Sequence, residues 1–500
     1  MASLPEYDHL DGIALAQLIR SGQISRAEAL AACLERIEAA NPALNAVVHS
    51  MREAAQLQVQ QPLPDGPLAG VPLLIKDLMA DVAGQPTSNG SRMFAGIIAQ
   101  QDSELVRRYR QAGLVLAAKT ATPEFGLMPV TEGELFGPTR NPWDLQRTPG
   151  GSSGGAAAAV ASGMVAIAHG GDGGGSIRIP AANCGLFGLK PSRGRSPFGP
   201  ALSEAWGGMV EQHAITRSVR DSAAMLDIMC SGVDADTVYY CPPPAQSFFS
   251  SLQHKPPRLR IAWTDQPFQG GTLVADCRAA LMHSVKLLQD LGHHLEQVHP
   301  PLGSPEQMQR AMLVMIGSEM ACLARNARKF IGREVRWRDV EIDTWVMARY
   351  GEVLSAGDLA WMRDFMLEQG RVMHRFHQRY DILLTPVMNQ LPAPIGSLGS
   401  TPAQRQLSRL LVGRCGWDWP VRTGSLVATE SRRIMEYMGW TIPFNLSGQP
   451  AASVPLFWNA QNIPVGTQLV ARFGEEQTLL QLSAELQQAQ PWAQRRPPAR

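Results

Sequence analysis

Between Gly150 and Gly185 the chain reads GGSSGGAAAAVASGMVAIAHGGDGGGSIRIPAANCG, which holds about a quarter of the 46 glycines and four serines. Ordering a glycine costs more backbone entropy than ordering any other residue. Such density is useful only where the chain turns sharply, takes positive φ, or packs backbone against backbone. The segment therefore predicts tight loops around a small-residue helix, Ala156 to about Ser162, with a short strand at Met164–His169 and a second loop, Gly170–Gly175, ending at Ser176.

Three chemistries suit a glycine–serine loop. A phosphate cradle needs G-x-x-x-x-G-K-[ST], or G-x-G-x-x-G between a strand and a helix, and neither is present. A nucleophile elbow needs G-x-S-x-G, which Gly150–Gly154 matches. The elbow must follow a buried strand, however, and here NPWDLQRTP precedes it; His213 lies downstream in no recognisable catalytic context. The third reading takes Gly173, Gly174, Gly175 and the Ser176 N–H as main-chain donors converging on one point, an oxyanion hole beside a Ser176 nucleophile. Its base would be Lys76, which ends the apolar run GVPLLIKD; a buried lysine is driven toward the neutral form and becomes a competent base. Ser152 would relay the proton between them.

The chain has 500 residues, 45% hydrophobic and 18% charged, with a net charge of +1, an ordinary globular balance that gives no footprint for nucleic acid. Seven scattered cysteines with no C-x-x-C suggest neither a disulfide framework nor a zinc ribbon and fit a reducing compartment. The opening MASLPEYDHLDG lacks the charged and apolar regions of a secretory leader, so a cytoplasmic location is expected. No apolar stretch is long enough for a membrane span.

Apolar spacing predicts helices through the first sixty residues, one capped at Ser25-Arg-Ala-Glu28 and stopped by Asn41-Pro42. Residues 66–84 hold a short apolar run, a buried strand ending in Lys76-Asp77; 102–112 reads as a helix and 114–118 as a strand, an α/β alternation. A helix follows at 218–229, a strand at 259–264, a helix over 275–292 and helical pattern over 304–380. Strands are predicted at 380–388, 442–457 and 464–473, and a last helix at 475–489.

These residues resemble the amidase signature family. The resemblance is carried by GGSSGG with GDGGGSIRIPA, and by GVPLLIKD (70–77), TPEFG (122–126), TRNPWD (139–144), CGLFGLKPSRGR (184–195), TRSVRDSAAMLD (216–227), DILLTP (381–386), PFNLSGQPAASVP (443–455) and PVGTQLV (464–470). Among its members the chain looks most like stand-alone bacterial amidases, including those that open the 6-aminohexanoate cyclic dimer. The resemblance implies an α/β fold with a mixed central sheet covered by helices on both faces. It implies a Ser–cis-Ser–Lys triad of Ser176, Ser152 and Lys76, with a cis peptide bond before Ser152, an acyl-enzyme on Ser176 and no cofactor or metal. Asp172, Arg178 and Ser153 are expected to support the loop, and Cys184 to be core.

One domain is expected overall: a helical segment at 1–65, the core with its catalytic loops at 66–300, a variable substrate-side region at 301–440, and closing strands and helix at 441–500. Leu127 and Met128 are candidates for an acyl pocket, with Phe125, Phe136 and Trp206 weaker, which points to an apolar, aryl or cyclic small-molecule amide. Trp337, Trp345, Trp361, Trp417 and Trp419 lie on Met/Trp-rich segments expected to be core. Ile179 stands where the transamidating branch carries glutamine. An amidotransferase subunit with partner chains, or a catalytically silent scaffold, are the alternatives; homodimers are common among relatives.

Overall fold

The computed structural model describes residues 7–498. Residues 1–6 of the stretch read for a leader, and residues 499–500, lie outside the described residues. Thirteen strands occur among the described residues: β1 (Val47–Ser50), β2 (Pro72–Lys76), β3 (Val115–Thr120), β4 (Glu132–Gly133), β5 (Gly137–Pro138), β6 (Ile167–Asp172), β7 (Phe187–Lys190), β8 (Glu211–Thr216), β9 (Arg260–Trp263), β10 (His294–Gln297), β11 (Ile382–Pro386), β12 (Ala451–Trp458) and β13 (Pro464–Ala471). Eleven of them build one sheet in the order β1-β3-β2-β6-β8-β7-β12-β13-β11-β9-β10, and β4 and β5 form a separate hairpin. β2 runs parallel to β3 and β6, and β6 antiparallel to β8, so the sheet is mixed, as expected.

The middle strands β2, β3, β6 and β8 are buried along their whole length. The Pro72-Leu-Leu-Ile-Lys76 run is apolar without alternation because helices cover both faces. One of those helices, Gly154–Ala161, is made only of Gly, Ala and Val and is wholly buried. A Cβ on Gly155 would sit 2.4 Å from the Ala121 nitrogen and 2.6 Å from the Ala46 carbonyl. Here the alanines and glycines set how closely a helix approaches the sheet.

The structure corrects several expected elements. The first sixty residues are not all helical, because Val47–Ser50 pairs antiparallel with β3 at the sheet edge. The second helix runs past Asn41-Pro42 to Leu44: a proline in the last turn forfeits one N–H bond, and the helix ends instead at left-handed Asn45 (φ 51°). β6 lies at 167–172 rather than 164–169, so Gly170 and Gly171 are strand residues in register with His213 and Gln212. The stretch 442–457 opens with a helix, Pro443–Ser447, with proline in its first turn and Gly448 (φ 91°) past its end, before β12 begins. A short helix at Arg178–Cys184 was not anticipated.

The region 304–380 is helical, as Pro305–Ile331, Ile342–Gly351 and Ala356–Phe376. Met308, Met312, Met315 and Met320 of the first are buried, whereas Trp337, Trp345 and Trp361 are half-buried and Trp417 and Trp419 exposed. The methionine stripe is thus core, and the last two tryptophans are not.

Candidate active site

β2 ends at Lys76 with the side chain fully enclosed, and its Nζ donates to Ser152 Oγ at 2.7 Å and to the Gly171 carbonyl at 3.4 Å. Burial pulls the Lys76 ammonium down to about 7 against the opposing pull of the Asp172 carboxylate. At neutral pH much of it is an amine. Behind it, His169 Nδ1 accepts the Lys76 backbone N–H at 3.3 Å, and burial, then the lysine's charge, hold His169 neutral, down to about 3.

Ser152 is buried and follows a cis peptide bond from Gly151. Gly126, at φ 71°, lies against it: a Cβ there would come within 3.0 Å of Ser152 Oγ, so only glycine leaves the hydroxyl its room. Ser153 ties the loop to the sheet, its Oγ donating to the Gly171 carbonyl and accepting the Gly171 N–H, both at 3.2 Å. Its own N–H donates to the Ser176 carbonyl at 3.1 Å, which joins the two serine loops. The loop follows turns rather than a strand, and His213 is bonded to Ser222 at 2.8 Å, so the elbow reading loses both its strand and its base.

The Ser176 loop is built around Asp172, at the end of β6. Arg178 grips that carboxylate twice, Nε at 2.9 Å and Nη2 at 2.7 Å, with neither side chain exposed. Burial opposes the charged carboxylate, but the Arg178 charge and hydrogen bonds, aided by Asn445, hold Asp172 well below the usual carboxylate range. Arg178 also donates to the Thr441 carbonyl, Gln468 Oε1 and Asn445 Oδ1. Asn445 and Gln468 were not picked out from sequence, although both fall inside motifs that carried the resemblance.

Gly175 needs a correction as an oxyanion donor: its N–H is taken by Asp172 Oδ1 at 2.8 Å. The N–H groups of Gly173, Gly174 and Ser176 make no hydrogen bond among the described residues. Cys184 is buried and bonded to the Pro149 carbonyl, and burial raises its thiol well above the usual range.

Ser176 and Gly174 line a cavity of about 340 Å³; Lys76 and Ser152 do not, but Gly126 of the lining lies against Ser152 Oγ. Leu127, Met128 and Trp206 line it, as do Met312, Met438 and Ile442; Phe125 and Phe136 do not. Phe125 instead packs edge-on against Phe94. Polar residues share the wall, among them Glu124, Glu132, Asp343, Arg405 and Glu341, the last raised to about 7 by burial and by the Glu124 carboxylate.

A family model described as Amidase matches residues 28–480. The chain belongs to the amidase family. The 6-aminohexanoate-cyclic-dimer hydrolase of Pseudomonas sp. (strain NK87) is 35% identical to this amidase over 494 residues, 97% of this chain and 96% of the relative. A solved 6-aminohexanoate cyclic dimer hydrolase superposes with a TM-score of 0.86 at 33% identity, covering 98% of this chain and 99% of its own. A bacterial aryl acylamidase of the amidase signature family superposes at 0.83 with 27% identity, each chain covered to 97%. The amidase is thus an enzyme of an amide-hydrolysing family with the expected fold, and no helix among its described residues is long and apolar enough to cross a membrane.

Proposed function

We propose that this amidase hydrolyses a small carboxylic acid amide through an acyl-enzyme on Ser176, with Ser152 as proton relay and Lys76 as base. The observation that carries the reading is the 2.7 Å contact between Ser152 Oγ and an enclosed Lys76 Nζ that burial brings to about 7, with Ser176 on the wall of a cavity that Gly126, packed against Ser152, also lines. Ser176 Oγ attacks the amide carbon and its proton passes through Ser152 to Lys76 Nζ. The oxygen that becomes negative is met by the N–H groups of Gly173, Gly174 and Ser176. The C–N bond then breaks, and the proton returns through Ser152 to the departing amine. Water attacks the ester by the same route, and the acid leaves. Asp172, Arg178 and Ser153 hold the loops and do not react.

The cavity is mostly apolar beside Ser176, which favours an apolar, aryl or cyclic amide; the two solved relatives, a cyclic dimer hydrolase and an aryl acylamidase, lie in this range. Seven free cysteines favour a reducing, cytoplasmic setting. The test is labelling with a fluorophosphonate probe, with the modified peptide identified by mass spectrometry. Labelling confined to Ser176, weakened in Lys76→Ala, supports the mechanism, and an amide panel of aliphatic, aryl and cyclic compounds then defines the substrate. Labelling at another serine overturns it.

A further inference from the structure

The peptide between Gly174 and Gly175 is held from both sides. Its N–H donates to Asp172 Oδ1 at 2.8 Å, and its carbonyl accepts the hydroxyl of Thr441 at 2.6 Å. Because a peptide is planar, with N–H and C=O pointing in opposite directions, two such bonds fix its rotation. Glycine on each side offers little steric resistance to that rotation, so the hydrogen bonds must supply it. Gly175 sits at φ 128°, and a Cβ there would fall 2.4 Å from Thr441 Oγ1, so the two positions are matched in shape as well as in bonding.

Thr441 is itself immobilised. It is fully buried, its carbonyl accepts Arg178 Nη1 at 2.9 Å, and the next residue donates its N–H to Gln269 Oε1 at 3.1 Å. The threonine hydroxyl is therefore aimed by the same arginine that grips Asp172. Any turn of the Gly174–Gly175 plane changes ψ of Gly174 and φ of Gly175. It is then passed to the flanking peptides, which carry the N–H groups of Gly174 and Ser176.

We propose that Thr441 is a positioning residue for amide hydrolysis: its hydroxyl sets the plane of the Gly174–Gly175 peptide and, through it, the aim of the oxyanion donors beside Ser176. This rests on the reading of Ser176 as nucleophile given above. Thr441 touches no reacting atom; it acts through the loop.

The experiment compares wild type, Thr441→Val, which keeps the shape and removes the donor, and Thr441→Ser, which keeps the donor. Saturation kinetics with a fluorophosphonate give the maximal inactivation rate and the half-saturating concentration separately. Thr441→Val is expected to lower the maximal rate by about 10- to 100-fold, less than the loss of a direct oxyanion donor, and to leave half-saturation within about two-fold. Thr441→Ser is expected to stay within about three-fold of wild type in both. Thermal unfolding accompanies each variant, and Thr441→Ala is the donor-free replacement if valine does not fold. A maximal rate in the donor-free variant within about two-fold of wild type overturns the proposal, as does a serine variant as slow as the valine one. Labelling of wild type away from Ser176 overturns the mechanism as well; labelling at Ser176 that is indifferent to Thr441 overturns this inference alone.

Discussion

Lys76 Nζ meets Ser152 Oγ at 2.7 Å across 76 positions of chain, with both residues shut off from solvent. Lys76 Nζ can accept a proton only as the neutral amine, and burial brings that form in at about pH 7. The fluorophosphonate inactivation rate, followed from about pH 5 to about pH 9, is expected to rise some tenfold per pH unit and level off near 7. Glu341, raised to a similar value, lines the cavity, so the same profile must persist in Glu341→Gln. A rise centred near lysine's ordinary 10.5 would contradict the assignment. The folded-state value lies below the unfolded one, so between the two the unfolded chain binds the extra proton. Folding stability therefore gains from Lys76 as pH climbs from about 7 toward 10.5.

Asp172 and Arg178 are both wholly buried, and removing one strands the other. Arg178→Met is expected to cost about 3–5 kcal/mol in urea unfolding, with part of the loss recovered in Asp172→Asn/Arg178→Met. The sign for the carboxylate is the reverse of that for Lys76. Its folded value lies below the ordinary 3.8, so its contribution is complete above that pH and is lost as pH falls toward the folded value. Acid titrations of wild type and Asp172→Asn are expected to converge below about pH 4 and stay parallel above it.

Ser152 and Ser153 are neighbours with different partners, one reaching Lys76 and the other Gly171. Ser153→Ala is expected to destabilise by about 1–2 kcal/mol and to leave labelling at Ser176 intact. Ser152→Ala is expected to slow labelling by about 10²-fold or more with little change in stability. Equal labelling rates in the two variants would remove the relay.

The cavity wall nearest the Ser176 loop is made of side-chain ends: a Cβ on Gly174 would lie 3.6 Å from Ile442 Cγ1, 3.8 Å from Met312 Cε and 3.9 Å from Met438 Cε. Met312→Trp fills that space. It is expected to cut kcat/KM on an aryl anilide by about tenfold or more and to leave an acetamide-sized substrate within about three-fold. Equal losses on both would place the acyl group elsewhere.

Much of the site was legible because its chemistry is local in sequence. Glycine runs mark where backbone must approach backbone, and a lysine at the end of an apolar run marks a buried charge. Lys76, Ser152 and Ser176 follow from those signals together with the family motifs. Thr441, Asn445 and Gln468 do not, since nothing within a few residues of them says that they will face an arginine more than 260 positions earlier. Element ends failed for related reasons. The glycines at 170 and 171 read as loop, yet pairing with β8 makes them strand. The stretch at 442–457 reads as one strand, and the proline at 443 and glycine at 448 turn its start into a helix.

Arg178 has consequences for how the enzyme comes into being. Two acceptors of its Nη1 are the Thr441 carbonyl and the Gln468 side chain, 263 and 290 residues downstream. On a ribosome, a chain that has already emerged with Lys76, Ser152 and Ser176 still lacks the groups that seat this guanidinium. The Ser176 loop therefore gains its full frame only after Gln468 has been made. Fragments that stop before Thr441 carry all three residues without the two groups that seat Arg178 Nη1.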